Sequence, residues 1–452
     1  MEQTKRANFG SRLGIILATA GSAVGLGNVW RFPTMAGENG GAAFILIYIG
    51  CVVVLGIPCM LNEFIIGRRA QSNAARAYSM LSNGTPWRLI GYFGVFTGFL
   101  IASYYAVVSG WCLQYVYASV MGELRGDPTY VNDYFVSFST NPWKPVLWLV
   151  LFFLISHLVI ARGVEKGIER AAKLMMPLLF ILLVVIAVAA CLLPNASKGI
   201  SFLFAPDFSK VDSNVFLGAL GQSFYSLSLG MGCLCTYASY FGRDIHLTKS
   251  AVQIISIDSL IAILAGLMIF PAVFSVGGQV DAGPALVFVT LPNVFNQAFS
   301  GVPFLGTLIA LLFYLLLSVA ALTSLISLHE VNTAFFHEEM NMSRKKAAGI
   351  VTVLCTFIGI FCSLSFCCPQ LSLFGLSLFD LFDFTTGQLF LPIGGFLTCL
   401  FMGWYVPKKL IREEFTNRET LSGRFFGVYL FCVRYVCPVC ILVIFLHQLG
   451  VV

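Results

Sequence analysis

The first long apolar segment of the chain contains residues that a simple membrane helix does not need. Residues 21–33 read GSAVGLGNVWRFP, with three glycines, an asparagine, an arginine and a closing proline. Glycine weakens a helix, and proline removes a backbone donor. Unsatisfied backbone groups are costly in hydrocarbon, so such a break survives only where the freed groups line a cavity inside the protein. The run therefore indicates a binding site within the membrane.

A second interruption lies at residues 226–232, which read SLSLGMG. It falls in the sixth predicted span, so the two breaks occupy corresponding positions in two successive five-span units. Paired breaks of this kind are typical of inverted repeats around a site at mid-membrane depth. The alternative is that the glycines merely allow close helix packing, which accounts well for Gly94 and Gly98. It accounts poorly for the polar residues that cluster at both breaks.

The composition indicates a membrane protein along the whole chain. The 452 residues are 58% apolar and 11% charged, with a mean hydropathy of +0.87, which is far from an average soluble domain. Apolar segments of about 20 residues recur throughout, so we expect residues 1–452 to form a single all-α polytopic domain. Eleven spans are predicted, near residues 12–37, 42–69, 89–122, 145–162, 167–193, 216–240, 248–275, 303–336, 345–364, 374–406 and 427–448. One repeat would cover about 12–193 and the other about 216–406, with an extra helix at about 427–448, while residues 285–299 form a loop helix rather than a span.

The basic residues predict the orientation. They concentrate in alternate loops, as with Arg68, Arg69, Arg76 and Arg88 after the second span. The positive-inside rule then puts the N-terminus in the cytoplasm and the C-terminus outside. The N-terminal run MEQTKRANFGSRLG has no signal-peptide cleavage pattern, so we expect the first span to direct insertion into the inner (plasma) membrane.

Several other functions are disfavoured. The five histidines have no ligand spacing and no nucleophile motif is present, which argues against an enzyme. The cations are spread through short loops, which argues against nucleic-acid binding. Most of the fourteen cysteines lie in apolar spans, where we expect them to act as small hydrophobic residues. Cys367 and Cys368, in a predicted outer loop, could oxidise, although adjacent cysteines rarely bridge each other easily.

Several motifs together resemble the neurotransmitter:sodium symporter family. ATAGSAVGLGNVWRFPTMAGENGGAAF at residues 18–44 resembles the first-span signature of that family, and SLSLGMG resembles its broken sixth span. GIPCMLNEFIIGRRAQ at 56–71, GIERAAKLMMP at 167–177 and ALTSLISL at 321–328 are similar as well. The chain looks most like the bacterial, eleven-span amino-acid transporters of the family. The resemblance implies a leucine-transporter-type fold, a 5+5 inverted repeat in which helices one and six are broken.

The resemblance also implies two sodium ions beside the broken helices. Sodium is a hard cation that prefers oxygen ligands, and unwound backbone, hydroxyl, amide and carboxylate groups supply them. The first ion is assigned to Ala23, Asn28, Ser226 and Asp258. The second is assigned to the carbonyls of Gly21, Val24 and Ala320 and the hydroxyls of Thr323 and Ser324. Without the motif, those two hydroxyls would be read as bonding back to their own helix.

Asp258 sets this sequence apart from chloride-dependent members of the family, which are similar but carry a neutral residue there. Chloride-independent bacterial relatives often place a carboxylate about one turn later, where this chain has Ala262. A carboxylate this deep in a membrane is costly unless a cation pairs with it. We expect Asp258, near Tyr48, Gln222 and Ser226, to supply the charge that chloride brings elsewhere, so that transport is chloride-independent. Proton uptake by Asp258 on the return step stays open.

A zwitterionic amino acid is the substrate that the resemblance implies. Its carboxylate is expected near the first sodium, the Tyr105 hydroxyl and the Gly27 amide, where a half-helix N-terminus favours an anion. Its ammonium group would meet the carbonyls of Ala23, Tyr225 and Ser226. The complete predicted lining is Ala23, Leu26, Gly27, Ile101, Tyr105, Val108, Tyr225, Ser226, Ser228, Met231, Ser324 and Leu328. The side-chain wall is mainly apolar and Met231 is flexible, so neutral L-amino acids from aliphatic to aromatic are expected.

The resemblance also implies gates on both sides of this site. Arg31 and Asp383 would form the outer ionic gate with Tyr225 as its lid, and Asp380 is a rival acid. Arg6 and Glu338 would form the inner latch beside Ser239 and Tyr240, with Phe9 as a plug. Glu63 would accept hydrogen bonds from free amides of the sixth span, and Gly167 and Pro177 would let the inner half of span five unwind.

The predicted function is therefore a sodium-coupled symporter that imports such amino acids by alternating access. Its expected partners are the lipid bilayer and a small-molecule substrate, and a monomer is expected to suffice. The alternative of a substrate sensor without net transport is disfavoured, because a sensor would be expected to carry an added signalling domain. A channel would suit a substrate bound at two broken helices less well than alternating access does.

Overall fold

The computed structural model describes residues 8–278 and 285–448, which are almost entirely helical. Eight helices in these ranges are long and apolar enough to cross a bilayer: Ala42–Ala70, Pro86–Met121, Val164–Cys191, Leu247–Ser275, Pro303–Glu339, Arg344–Leu364, Leu378–Tyr405 and Phe426–His447. Two bent pairs pass the same test, Arg12–Ala23 with Gly27–Glu38 and Pro128–Ser139 with Lys144–Ile160, with bends of 55° and 70°. The all-α polytopic class is confirmed.

The remaining predicted span is divided in two. Its halves are Ser213–Ser226 and Cys233–Ala238, and each is too short to cross a bilayer alone. Spans are numbered below as they were predicted, from one at Arg12–Glu38 to eleven at Phe426–His447, so that span four is Lys144–Ile160 and span six is this divided pair.

Shorter elements connect the spans. The α-helices among them are Ala74–Leu81, Pro128–Ser139, Ala196–Phe204, Leu291–Ala298 and Lys408–Phe415, and the 3₁₀ turns among them are Phe208–Lys210 and Pro369–Leu371. A further 3₁₀ turn, Pro86–Arg88, begins span three. The loop helix predicted at 285–299 is confirmed as the π-helical turn Leu286–Thr290 followed by Leu291–Ala298. Further π-helical turns interrupt spans two, five, ten and eleven at Val52–Gly56, Val164–Glu169, Thr385–Phe390, Phe401–Tyr405 and Cys432–Val436.

The predicted start of span ten at residue 374 was wrong. Strands Ser372–Leu373 and Leu376–Ser377 form a short antiparallel hairpin there, and the span begins at Leu378. Gly375 has φ +80° in the turn, a conformation that glycine adopts at little cost. The Ser377 hydroxyl then accepts a hydrogen bond from the Asp380 N–H at 3.0 Å, which caps the helix at this position.

Span eight is the central element of the bundle. It packs along span three and also contacts spans one, four, five and nine. Gly110 makes the approach of span three to span four possible, because a Cβ there would lie 2.7 Å from the backbone nitrogen of Leu149. The two broken spans are held inside this frame, where the groups freed by their breaks face protein rather than lipid.

Candidate functional site

The predicted break in span one is confirmed. Helix Arg12–Ala23 ends where Val24 turns to an extended conformation, and a π-helical turn follows at Gly27–Arg31. Side chains satisfy the amides that the break frees. The Gly25 N–H donates to the Asn28 side-chain oxygen at 3.1 Å, and the Leu26 N–H donates to the Tyr105 hydroxyl at 3.3 Å. The break is therefore a defined structure supported by span three.

The break in span six is also confirmed. Ser228 and Gly230 have positive φ angles of +53° and +86° in the turn after Ser226. As predicted, Glu63 accepts hydrogen bonds from the freed N–H groups, from Gly230 at 2.8 Å and from Cys235 at 3.2 Å. A Cβ on Gly230 would lie 2.5 Å from the Leu391 carbonyl oxygen, so the turn requires glycine there.

Asp258 is the centre of a buried polar cluster between the two breaks. Its carboxylate accepts hydrogen bonds from the Asn28 amide at 2.7 Å, the Ser226 hydroxyl at 3.0 Å and the Tyr48 hydroxyl at 3.3 Å. The structure thus brings together three of the four residues predicted for the first sodium ion, and the fourth, Ala23, lies in the wall of the adjoining cavity. Within the described ranges, Asp258 has no arginine or lysine partner within ion-pair distance.

The second predicted sodium cluster also assembles. The Thr323 hydroxyl donates to the carbonyls of Ala320 at 2.8 Å and Val24 at 3.3 Å, and the Ser324 hydroxyl donates to Val24 at 3.2 Å. A Cβ on Gly21 would lie 3.3 Å from the Thr323 Cβ, so the backbone of span one approaches span eight closely here. These oxygens could hold a small hard cation.

A cavity of about 50 Å³ lies between the two breaks. Eleven of the twelve predicted substrate residues line it: Ala23, Leu26, Gly27, Ile101, Tyr105, Tyr225, Ser226, Ser228, Met231, Ser324 and Leu328. The Ser228 hydroxyl closes one side by donating to the Ser22 carbonyl at 3.1 Å, which ties the two breaks together. The described lining contains no charged side chain.

Val108, the twelfth predicted residue, does not line this cavity. It lies in the wall of a second cavity of about 270 Å³, which contains Arg31 and Asp383. Val108 is three residues beyond Tyr105 on span three, and a single helical turn is enough to move its side chain into the neighbouring space.

Six further residues line the cavity between the breaks without having been predicted as individual substrate contacts: Ser22, Gly25, Tyr104, Cys233, Ser327 and Leu391. Ser327 could have been found, because it follows Ser324 by three residues and shares its helix face. Leu391 belongs to span ten, and no pattern in the sequence connects it with the breaks.

The structure brings the residues predicted for the outer gate only partly together. The Arg31 guanidinium carbon lies 4.1 Å from the centroid of the Tyr225 ring, a cation–π distance. Asp383 and Asp380 line the same outer cavity, but the described residues show no ion pair between Arg31 and either acid within 4.0 Å. The Asp380 carboxylate instead accepts from the Ser377 hydroxyl at 2.6 Å.

On the inner side, Arg6 lies outside the described residues, so the predicted latch is described only from its partners. Glu338 accepts hydrogen bonds from the backbone and side-chain nitrogens of Asn73, at 2.8 and 3.1 Å. Phe9 is buried and meets the rings of Tyr237 and Tyr240 edge-on, with centroids 6.1 and 6.0 Å apart.

Two buried acids on the side of the predicted inner latch, Glu330 and Glu169, were not predicted from the sequence. Glu330 accepts from the Tyr240 hydroxyl at 2.5 Å and forms an ion pair with both terminal nitrogens of Arg344. Glu169, in the π-helical turn of span five, contacts the segment before span one by accepting from the Gly10 N–H at 2.6 Å and the Ser11 hydroxyl at 2.7 Å. Both pairings join residues more than ten positions apart, which local patterns do not reveal.

Comparisons with known proteins agree with this geometry. The profile of the sodium:neurotransmitter symporter family matches residues 6–137 and 137–452. The uncharacterized sodium-dependent transporter YhdH of Bacillus subtilis strain 168 is 37% identical over 100% of this chain and 99% of its own length. An uncharacterized sodium-dependent transporter of Haemophilus influenzae is 35% identical over 98% of both chains.

A solved structure extends the comparison to three dimensions. The crystal structure of MhsT in complex with L-phenylalanine is similar with a TM-score of 0.88 and 43% sequence identity, over 98% of this chain and all of that one. These relatives are transporters rather than enzymes. The chain therefore belongs to the sodium:neurotransmitter symporter family, as a polytopic membrane transporter of the sodium-dependent type.

Proposed function

We propose that this chain imports neutral, hydrophobic L-amino acids together with sodium by alternating access. The observation that carries the proposal is the cavity between the two breaks, whose described walls combine apolar side chains with hydroxyls and the backbone of the breaks. A charged side chain would lose its hydration in such a site without gaining a partner. The apolar side chain of a hydrophobic amino acid has no comparable hydration free energy to lose.

Two sodium ions complete the proposed site. The uncompensated Asp258 carboxylate would attract one ion beside the substrate, with Asn28, Ser226 and the Ala23 carbonyl. The hydroxyls of Thr323 and Ser324, which already face the Val24 carbonyl, would hold the second. Two ions moving down about 100 mV and a tenfold gradient release about 7 kcal/mol, enough to concentrate a neutral zwitterion strongly.

Chloride independence is part of the proposal. The Asp258 carboxylate lies beside Tyr48 and Ser226 and accepts hydrogen bonds from both hydroxyls, at 3.3 and 3.0 Å. A carboxylate fixed at this position makes a mobile anion unnecessary for charge balance around sodium.

The range of side chains is proposed to run from aliphatic to aromatic. Met231 lines the cavity, and a flexible thioether can move aside for a larger group. The related MhsT was crystallised with L-phenylalanine, and relatives from Drosophila species are named sodium-dependent nutrient amino acid transporters. The latter are 24% identical, so they support an amino-acid substrate less strongly than MhsT does.

The proposed setting is the inner (plasma) membrane, with the N-terminus in the cytoplasm and the C-terminus outside, because the basic residues follow alternate loops. The two five-span repeats would move against each other around the fixed site, and a monomer would suffice because one chain supplies every proposed ligand.

Competition in proteoliposomes tests the substrate class. Uptake of labelled leucine is measured in sodium with an excess of each unlabelled amino acid in turn. Leucine, isoleucine, methionine and phenylalanine are expected to compete strongly, and glutamate and lysine are not. Strong competition by either charged amino acid, or none by the apolar ones, would refute the proposed specificity.

A further inference from the structure

Three cysteines from distant parts of the chain meet in a cluster that the proposed transport cycle does not use. Cys59 lies in span two, Cys399 in span ten and Cys437 in span eleven. Their sulfur atoms all lie within 4.8 Å of one another, and those of Cys59 and Cys399 are 3.6 Å apart. All three are free thiols buried inside the protein. The expectation that such cysteines serve only as small hydrophobic residues does not account for this convergence.

A polar side chain is directed at the cluster. The Asn62 amide nitrogen lies 3.6 Å from the Cys399 sulfur and donates to it. The Asn62 oxygen accepts from the Tyr429 hydroxyl at 2.6 Å, so the orientation of the amide is held from its other end. A metal-bound thiolate accepts hydrogen bonds, so the Asn62 amide would satisfy such a thiolate at Cys399 once an ion is bound.

The spacing of the sulfur atoms suits a metal ion. Metal–sulfur bonds of about 2.3 Å around a trigonal centre would place the three sulfur atoms about 4.0 Å apart. The cluster has one separation of 3.6 Å, and the others do not exceed 4.8 Å. An ion could therefore reach all three sulfur atoms after shifts of a few tenths of an ångström.

Charge decides which ion fits a site this deep. Burying net charge is expensive, so the occupied site should be neutral overall. A monovalent ion achieves this when it displaces one proton, because one thiolate and two neutral thiols then surround it. Soft sulfur ligands select soft ions such as copper(I), whereas sodium prefers oxygen.

We propose that Cys59, Cys399 and Cys437 form a binding site for one soft monovalent cation, copper(I) or its analogue silver(I). On binding, a metal–sulfur bond forms at Cys399 and the S–H bond there breaks, and the proton leaves to solvent. Cys59 and Cys437 complete the trigonal centre as neutral thiols. The bound ion links spans two, ten and eleven, and so it stabilises the folded protein against heat.

Silver(I) binding to the purified full-length protein tests the site. Reduced protein in detergent is titrated with silver(I) against a competing thiol chelator, and bound metal is counted per chain. We expect one tightly bound equivalent, together with a higher melting temperature. Cys59→Ala, Cys399→Ala and Cys437→Ala should each weaken that equivalent at least a hundredfold. Cys112→Ala, which removes a buried cysteine of span three outside the cluster, is the matched control and should retain it.

Three results would overturn the proposal. They are the lack of a tight equivalent in the unaltered protein, its retention in all three cluster variants, or its equal loss in Cys112→Ala. X-ray absorption of the silver-loaded, unaltered protein tests the site without any variant. It should show a shell of three sulfur atoms, and a shell with oxygen or nitrogen, or with fewer than three sulfur atoms, would contradict it. These readouts need no transport, so they stand whether or not the proposed function holds.

Discussion

Replacing Asp258 by asparagine removes a charge from the centre of the proposed ion site while nearly preserving its shape. The carboxylate accepts three hydrogen bonds, from Asn28, Ser226 and Tyr48, at 2.7 to 3.3 Å. For a sodium ion about 4 Å from a unit charge, an effective dielectric constant of about 20 gives an attraction of about 4 kcal/mol. The amide dipole of asparagine retains part of this attraction, so we take the loss of sodium-binding free energy as about 2 to 4 kcal/mol. Sodium affinity should then fall about 30- to 1,000-fold.

The assay is sodium-dependent binding of labelled leucine to purified Asp258→Asn, followed over a wide range of sodium concentrations. Glu63→Gln is the matched control, because it neutralises another buried carboxylate that contacts backbone amides rather than the proposed ions. We expect the control to keep its sodium affinity within threefold while its thermal stability falls. An unchanged sodium affinity in Asp258→Asn would refute the assignment of Asp258 to the ion site.

The charge of Asp258 also predicts how the uptake rate depends on the anion in the medium. Uptake by the unaltered protein should proceed at equal rates in chloride and gluconate, because Asp258 already supplies the negative charge. The asparagine variant should be faster in chloride than in gluconate. A strict chloride requirement in the unaltered protein would contradict the account of Asp258.

Three further predictions follow from the geometry. Thr323→Ala removes a hydroxyl that faces Val24, so sodium affinity should fall about tenfold in leucine-binding titrations, and no change would argue against a second ion there. Gly230→Ala would place a Cβ against the Leu391 carbonyl oxygen, on a residue whose φ is +86°. The purified yield and the melting temperature should therefore drop sharply, and normal folding of the variant would contradict the tight turn. Glu330→Gln leaves the mostly buried Arg344 without its ion partner, which should cost about 3 kcal/mol in thermal unfolding, and an unchanged melting temperature would contradict this pairing.

Local sequence patterns predicted the frame and both breaks. The breaks were readable because glycines and polar residues in an apolar run are unfavourable unless they serve a cavity, and Asp258 stood out for the same reason. The start of span ten was missed because a two-residue strand before Leu378 leaves no pattern in an apolar stretch. The start of the helix depends on a single capping residue, Ser377. Helix boundaries are uncertain by one or two residues even when the helix itself is clear.

Contacts between distant segments were not predictable. Cys59 and Cys399 are 340 residues apart, so nothing in either neighbourhood reveals that their sulfur atoms meet. Glu330 and Arg344 are 14 residues apart, and no local pattern in the sequence predicts their ion pair. Val108 shows a smaller limit, because the resemblance placed it in the substrate site but did not decide which of two adjoining cavities it lines.

Sodium-driven accumulation in proteoliposomes is the most direct test of sodium-coupled transport. Vesicles loaded with potassium are diluted into sodium buffer, and labelled leucine is followed over time with the membrane potential clamped. Leucine is expected to rise inside the vesicles well above its outside concentration, and gramicidin, which collapses the sodium gradient, should abolish the accumulation. Equal uptake when choline replaces sodium would contradict sodium coupling.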